Sequence, residues 1–144
     1  MHTMNDIKMI DFQRIGDDRG KLVIAESGKQ IPFDVKRIFY IYGSSKYVVR
    51  GQHANRVSEF VFVNVAGTSK VKVRDGEGNE AVYFLNRPYM AIYLPTMVWK
   101  EMFDFSADSV LLVLTNTLYD PDEYIRDYQQ YEEEISKGIC ESDD

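Results

Sequence analysis

The sequence predicts an all-β domain, an antiparallel sandwich or barrel carrying one α-helix at its C-terminal end. Three observations lead there. Seven runs rich in β-branched and aromatic residues follow at short intervals with no helical pattern between them. Asp75-Gly76-Glu77-Gly78-Asn79 is a strong hairpin turn between two of those runs. Helical periodicity shows only after Asp120.

The expected strands are 21–25, 37–42, 59–65, 69–74, 80–85, 90–94 and 110–115. In the third, Glu59, Val61, Val63 and Val65 share one face and Phe60 and Phe62 the other, because side chains alternate along a strand. A strand apolar on both faces is buried on both. A chain this short has few elements to spare as a cover, so a second subunit is expected and the protein reads as a homodimer. Further on, Asp120 suits an N-cap, Pro121 the first helical position and Glu123 a capping-box place. Tyr124, Tyr128, Tyr131 and Ile135 then fall on one face, which predicts a helix over 121–136 docked on the barrel or on a partner. Gly138 is expected to end it. The chain therefore reads as one domain over 1–137 with a disordered acidic tail at 138–144.

With 144 residues, 44% of them hydrophobic, the chain can bury one sizeable core. Ten Tyr and eight Phe suit a sheet with a binding pocket. A net charge of −6 argues against a nucleic-acid partner, since phosphate backbones are held by Lys and Arg. Much of the acidity sits in Glu132, Glu133, Glu134, Glu141, Asp143 and Asp144, which leaves the body nearly balanced and able to hold an anionic ligand. The single cysteine, Cys140, permits no intramolecular disulfide and fits a cytoplasmic location. No signal peptide and no apolar run of transmembrane length is present, so no membrane association is expected. His2 reads as a terminal residue without a role.

The chemistry concentrates in Arg50-Gly51-Gln52-His53-Ala54-Asn55-Arg56-Val57-Ser58-Glu59. A small β-barrel that holds a metal usually supplies a histidine, a second histidine two residues on and a glutamate four further. Here the spacing survives with Asn55 in the second place. In Pro95-Thr96-Met97-Val98-Trp99-Lys100-Glu101-Met102, Lys100 stands where such a barrel often has its last histidine. An amide and a protonated amine are poor replacements for imidazole, so no metal and no other cofactor is expected. On a strand His53 and Asn55 point the same way, and convergence with Glu59 puts an imidazole, an amide and a carboxylate into one cavity. An isolated histidine often just satisfies a core hydrogen bond; the flanking Arg50-Gly51 and Glu59 favour a site. Arg19, Arg37 and Arg50 are candidate anion clamps, although each alone equally suits a surface ion pair. Asp18-Arg19-Gly20 adds a glycine that permits close backbone approach. Tyr40 and Tyr42 share a face and, lining a cavity, would stack a base or relay a proton. Trp99 is either a core aromatic or a pocket wall.

Taken in order, Asp18-Arg19-Gly20, Ile31-Pro32-Phe33, the run from Lys36 to Ile41, Arg50-Gly51-Gln52-His53-Ala54, Val98-Trp99-Lys100-Glu101-Met102 and the run from Tyr119 to Tyr128 resemble the dTDP-4-keto-6-deoxyglucose 3,4-ketoisomerases, WxcM-like members of the cupin superfamily. The resemblance runs from about residue 8 to about residue 131. It implies a cupin jelly-roll antiparallel β-barrel, a dimer able to exchange N-terminal strands, and no required metal. It also implies a dTDP-linked keto-deoxysugar as substrate, in a pathway to amino-deoxysugars of surface polysaccharide such as O-antigen. The family tripeptide is usually His-Ala-His and its Trp-Glu motif usually carries a histidine, so Asn55 and Lys100 depart from the pattern. The implied reaction moves a carbonyl by one carbon: a base removes the C3 proton, an enediolate forms, and C4 is protonated. His53 is the expected base or proton shuttle, with Glu59 orienting it and Tyr40 relaying a proton between oxygens. Lys100 either stabilises enediolate charge or is a solvated rim residue. Arg19 and Arg50 are expected to hold the diphosphate. The competing expectation is a catalytically degenerate dTDP-sugar-binding cupin that turns nothing over.

Overall fold

The computed structural model describes residues 4–142. A 3-10 turn at Met4–Asp6 leads into twelve strands: β1 (Lys8–Asp11), β2 (Arg14–Asp17), β3 (Gly20–Val23), β4 (Arg37–Tyr42), β5 (Arg50–Asn55), β6 (Phe60–Ala66), β7 (Ser69–Arg74), β8 (Glu80–Leu85), β9 (Met90–Leu94), β10 (Trp99–Phe103), β11 (Val110–Thr115) and β12 (Tyr124–Ile125), followed by one helix, α1 (Tyr128–Ser142). Five expected runs coincide with β4, β7, β8, β9 and β11. The segments that became β1, β2, β5 and β10 carry charged, amide or glycine residues that mask the strand pattern.

All strand pairs are antiparallel. One sheet runs β1-β9-β6-β11-β4 and the other β12-β5-β10-β7-β8. They enclose a core in which Phe60, Phe62, Ile92, Leu94, Leu111 and Val113 of the first sheet meet Val71, Val73, Leu85 and Met102 of the second. The class is all-β as expected, but the sheets are not closed into a barrel. β4 ends one sheet and β12 beside β5 ends the other, with no ladder joining those edges. The gap between them becomes the site.

The two-faced burial of β6 has a different cause from the one expected. Phe60 and Phe62 face the interior. On the other face, Val61 and Val63 are covered by Phe12, Ile31 and Phe33 of the same chain. The N-terminal segment supplies the cover assigned to a second subunit, so that inference loses its premise at these positions. Val65 and Ile38 remain exposed on the same outer face.

The C-terminal helix also differs from expectation. Asp120 does cap, accepting from the Asp122 amide at 3.0 Å, but only a single 3-10 turn, Pro121–Glu123, follows. Tyr124 and Ile125 then extend and pair with Asn55 and Ala54 of β5. A free sheet edge offers these residues main-chain partners that compete with helix formation. The helix starts at Tyr128, and its Tyr131 and Ile135 pack with Tyr128 against Ala54 and Trp99. Tyr131 donates to the Met97 carbonyl at 2.9 Å, and Arg56 grips Glu134 at 2.8 and 2.9 Å. The helix continues through Gly138 to Ser142, so the tail expected from 138 onward begins as helix; residues 143 and 144, like His2, lie outside the described residues. The hairpin turn forms as expected, with Asp75 accepting from the amides of Glu77 and Asn79.

Candidate active site

Between the free edges lies a cavity of about 210 Å³, lined by Phe39, Ile41, Phe60 and Phe62 on one side and by Arg50, Gly51, His53, Lys100, Met102 and Tyr124 on the other. Its polar groups come from two paired strands. His53 of β5 sits directly opposite Lys100 of β10, and paired residues of an antiparallel ladder share a face. The register slips between Lys100 and Glu101, and Gln52 takes φ 58°, the mark of a bulge that re-aims the residues around it. Gly51 is required there: a Cβ would lie 3.0 Å from the Met102 sulfur and 3.1 Å from the Lys100 carbonyl, at φ 83°.

Lys100 is fully buried, 1% exposed, and among the described residues forms no ion pair. Its Nζ donates to Asn55 Oδ1 at 2.8 Å and lies 4.5 Å from the Phe60 ring centroid. Burial disfavours the ammonium and pulls its pKa down to about 7, with the Glu123 charge opposing in part. Asn55 passes the contact on, its Nδ2 donating to Glu123 Oε1 at 2.8 Å. The Glu123 carboxylate also accepts from the amides of Val57 and Ser58, each at 2.9 Å, and from the Ser58 hydroxyl. Burial pushes this carboxyl up, but the hydrogen bonds outweigh it and leave the group below the usual carboxylate range.

His53 is driven down to about 3, first by burial and then by the positive charges of Lys100 and Arg126; Asn55 and Glu123 offset only part. The imidazole is therefore neutral throughout the physiological range, and its Nδ1 is buried without a hydrogen-bond partner among the described residues. Tyr124 stands edge-on to the ring at 4.9 Å, with Arg126 stacked over the tyrosine at 4.6 Å. Nearby, Arg37 lies 5.5 Å from the rings of both Phe39 and Tyr119, and its buried Nε and one terminal nitrogen lack hydrogen-bond partners among the described residues. A guanidinium with unused donors is a ready anion contact.

The structure thus brings His53, Asn55 and Lys100 together, with Arg50 on the cavity wall and Arg37 near it. It does not bring Glu59. That carboxylate accepts from the Tyr93 hydroxyl and from Asn116 Nδ2 at 2.9 Å. It shares the outer face of β6 with Val61, as strand alternation required, and Glu123 is the carboxylate that meets Asn55. Tyr40 touches the cavity rim, but its ring is 62% exposed beside Tyr42 on the outer face of β4, and Tyr42 does not line the cavity. Trp99 does not line the cavity; it lies under the helix, edge-on to Tyr128 at 5.1 Å, as a core aromatic. Arg19 lies at the tip of the exposed β2–β3 hairpin, paired with Asp17 at 2.7 Å, and does not line the cavity. Glu123, Tyr124 and Arg126 escaped the reading of the residues because a helix was expected there; the run from Tyr119 to Tyr128 was the available signal. Among the described residues no three His, Cys, Asp or Glu side chains cluster as a metal site. No helix among them is long and apolar enough to cross a membrane.

A two-sheeted β-fold with a small interior cavity, a neutral imidazole and an amine beside it suits small-molecule proton transfer. The comparisons agree with that class. The family described as FdtA, WxcM-like, C-terminal matches residues 5–136, and the chain belongs to this family. A relative from Aneurinibacillus thermoaerophilus, TDP-4-oxo-6-deoxy-alpha-D-glucose-3,4-oxoisomerase, is 39% identical over 130 residues, covering 90% of this chain and 93% of that protein. A 3,4-ketoisomerase from Helicobacter canadensis superposes with a TM-score of 0.89 at 36% identity, covering 94% and 99% of the two chains. A single-site mutant of the Thermoanaerobacterium thermosaccharolyticum 3,4-ketoisomerase, solved with TDP-4-keto-6-deoxyglucose, gives 0.89 at 35%, covering 94% and 97%.

Proposed function

We propose that the protein is a sugar-nucleotide 3,4-ketoisomerase, interconverting a dTDP-4-keto-6-deoxyhexose and its 3-keto isomer in deoxyamino-sugar biosynthesis. The observation that carries this reading is the His53–Lys100 pair side by side on one wall of the cavity, in a chain 39% identical to an oxoisomerase of such a sugar. Pockets that enclose a whole ligand run to roughly 300–1,000 Å³. At about 210 Å³ this one admits a sugar ring and leaves the nucleotide across the rim.

The neutral His53 takes the C3 proton, and the C–H electron pair moves through C3–C4 onto the C4 oxygen as the enediolate forms. Lys100, poised between ammonium and amine near pH 7, stabilises the developing oxyanion as the ammonium. The C3 hydroxyl proton passes to the C4 oxygen and the proton held on His53 is delivered to C4, completing the carbonyl at C3 and the hydroxyl at C4. Positioned acid–base groups of this kind contribute roughly 10²- to 10⁴-fold. Arg50, Arg37 and Arg126 hold the diphosphate. No cofactor enters this scheme, and Tyr40 contacts substrate at the rim.

The homodimer is part of this reading. The outer face of the first sheet keeps Ile38, Tyr40, Tyr42 and Val65 exposed, and an apolar groove of about 320 Å³ runs past Ile38, Val65 and Leu112. The β2–β3 hairpin is exposed along its whole length, which suits an arm that carries Arg19 to a partner. The lone cysteine and the sugar-nucleotide chemistry support a cytoplasmic location.

A second reading, a degenerate dTDP-sugar-binding protein, is favoured by one observation: Asn55 carries no titratable proton where the family usually has a histidine. Incubation with dTDP-4-keto-6-deoxyglucose in heavy water separates the two. Deuterium at C3 with appearance of the 3-keto sugar supports the enzyme, and His53→Asn should then abolish turnover while dTDP affinity persists. Binding without exchange supports the second reading.

A further inference from the structure

We propose that Glu123 is a positioning residue for the cavity: its carboxylate locks the Asn55 amide with the oxygen turned toward Lys100, and that oxygen holds the amine opposite His53. The inference rests on the reading of this cavity as the reaction site.

The hydrogen-bond chemistry permits only this arrangement. A carboxylate only accepts, so Asn55 must present Nδ2 to Glu123, at 2.8 Å. The remaining end of the amide, Oδ1, is then fixed toward Lys100 Nζ, also at 2.8 Å. Glu123 is itself immobilised. It is 6% exposed and takes the amides of Val57 and Ser58 and the Ser58 hydroxyl. Its backbone sits in the turn capped by Asp120, and its carbonyl accepts from the Arg56 amide at 3.0 Å.

Glu123 also sets the charge balance of the cavity. No Asp or Glu lines the cavity among the described residues. The groups facing Lys100 are His53 on the paired strand, Asn55 with Glu123 behind it, Arg50 on the wall, and the apolar Phe39, Ile41, Phe60 and Phe62 of the opposite sheet; Arg126 adds positive charge toward His53. The Glu123 charge raises the proton affinity of both Lys100 and His53 against their burial. The family's usual histidine at position 55 would have titrated for itself. With Asn55 there, the titratable groups left on this wall are His53 and Lys100, and Glu123 acts on the Lys100 amine through the amide.

The test is Glu123→Gln. The variant keeps one oxygen to accept from the backbone amides but loses the charge and frees Asn55 to turn. Lys100 is followed by NMR in lysine-labelled protein without ligand, and kcat and KM are measured with dTDP-4-keto-6-deoxyglucose. The expected result is a Lys100 titration midpoint below that of the wild type, and a kcat lower by on the order of 10- to 100-fold at nearly unchanged KM. A merely structural role would lower unfolding stability and leave the Lys100 midpoint where it was. A folded Glu123→Gln protein with unmoved midpoint and wild-type kcat overturns the proposal. Should that variant not fold, Asn55→Leu cuts the same link and leaves the Glu123 backbone contacts intact. Wild-type kcat and an unmoved midpoint in Asn55→Leu overturn it equally. If the wild-type protein shows no turnover, the functional reading fails, and the Lys100 midpoint alone then decides for or against the positioning role.

Discussion

Replacing Lys100 by Met removes one buried amine and keeps much of its volume, so the energetic account of the cavity can be read from a single substitution. The amine is ordinarily protonated up to 10.5; here that limit falls to about 7 because burial penalises the ammonium. Between those values the unfolded chain binds the proton and the folded chain does not, so stability rises with pH through this window. Below 7 the full cost is present, and above 10.5 none of it. At about 1.4 kcal/mol per tenfold change the full cost is about 5 kcal/mol, of which about 4 applies at pH 7 and about 2 at pH 9. Methionine abolishes that cost. It also forfeits the hydrogen bond to Asn55 and the contact over Phe60, and it strands the Asn55 oxygen, a combined loss of about 3 kcal/mol. The Lys100→Met protein should therefore be more stable than wild type by about 1 kcal/mol at pH 7 and less stable by about 1 kcal/mol at pH 9. Urea unfolding of both proteins at pH 7, 8, 9 and 10, followed by tryptophan fluorescence, gives the difference, in which every other titration cancels. A difference that does not vary with pH would refute the reasoning.

The same logic at the acid end applies to His53. Its folded-state value of about 3 lies below the unfolded 6.5, so falling pH protonates the unfolded chain first and stability is lost from 6.5 toward 3, by at most about 5 kcal/mol. In His53→Asn that slope should be absent, and equal acid sensitivity of the two proteins by thermal melts would contradict the burial of the ring. Gly76→Ala should destabilise by about 2 kcal/mol, because the added Cβ would lie 2.0 Å from Ile135 Cγ2 beneath the helix; an unchanged urea midpoint would mean that the helix does not rest on this turn. Ile38→Asp places a charge on the exposed outer face and should convert a dimer to a monomer in light scattering, whereas a dimer that survives the change would move the interface elsewhere.

By itself the chain determined its β class, most of its strands, the hairpin at Asp75–Asn79 and the shared direction of His53 and Asn55. These are written in local terms: alternation of apolar residues, turn chemistry, and strand spacing that sends every second side chain the same way. The tertiary structure decided which carboxylate serves the site. Spacing from His53 points to Glu59, and the capping pattern puts Glu123 in a helix, but one strand step turns Glu59 outward, while the free edge of β5 draws Tyr124 and Ile125 out of a helix and delivers Glu123 to Asn55. It also decided which aromatics and arginines reach the cavity, sending Trp99 under the helix and Arg19 to an exposed hairpin while bringing Tyr124 to the wall with Arg126 over its ring. Such outcomes depend on pairings between segments distant in the chain, where a main-chain partner or a buried acceptor outweighs local preference, and no reading of neighbouring residues contains that comparison.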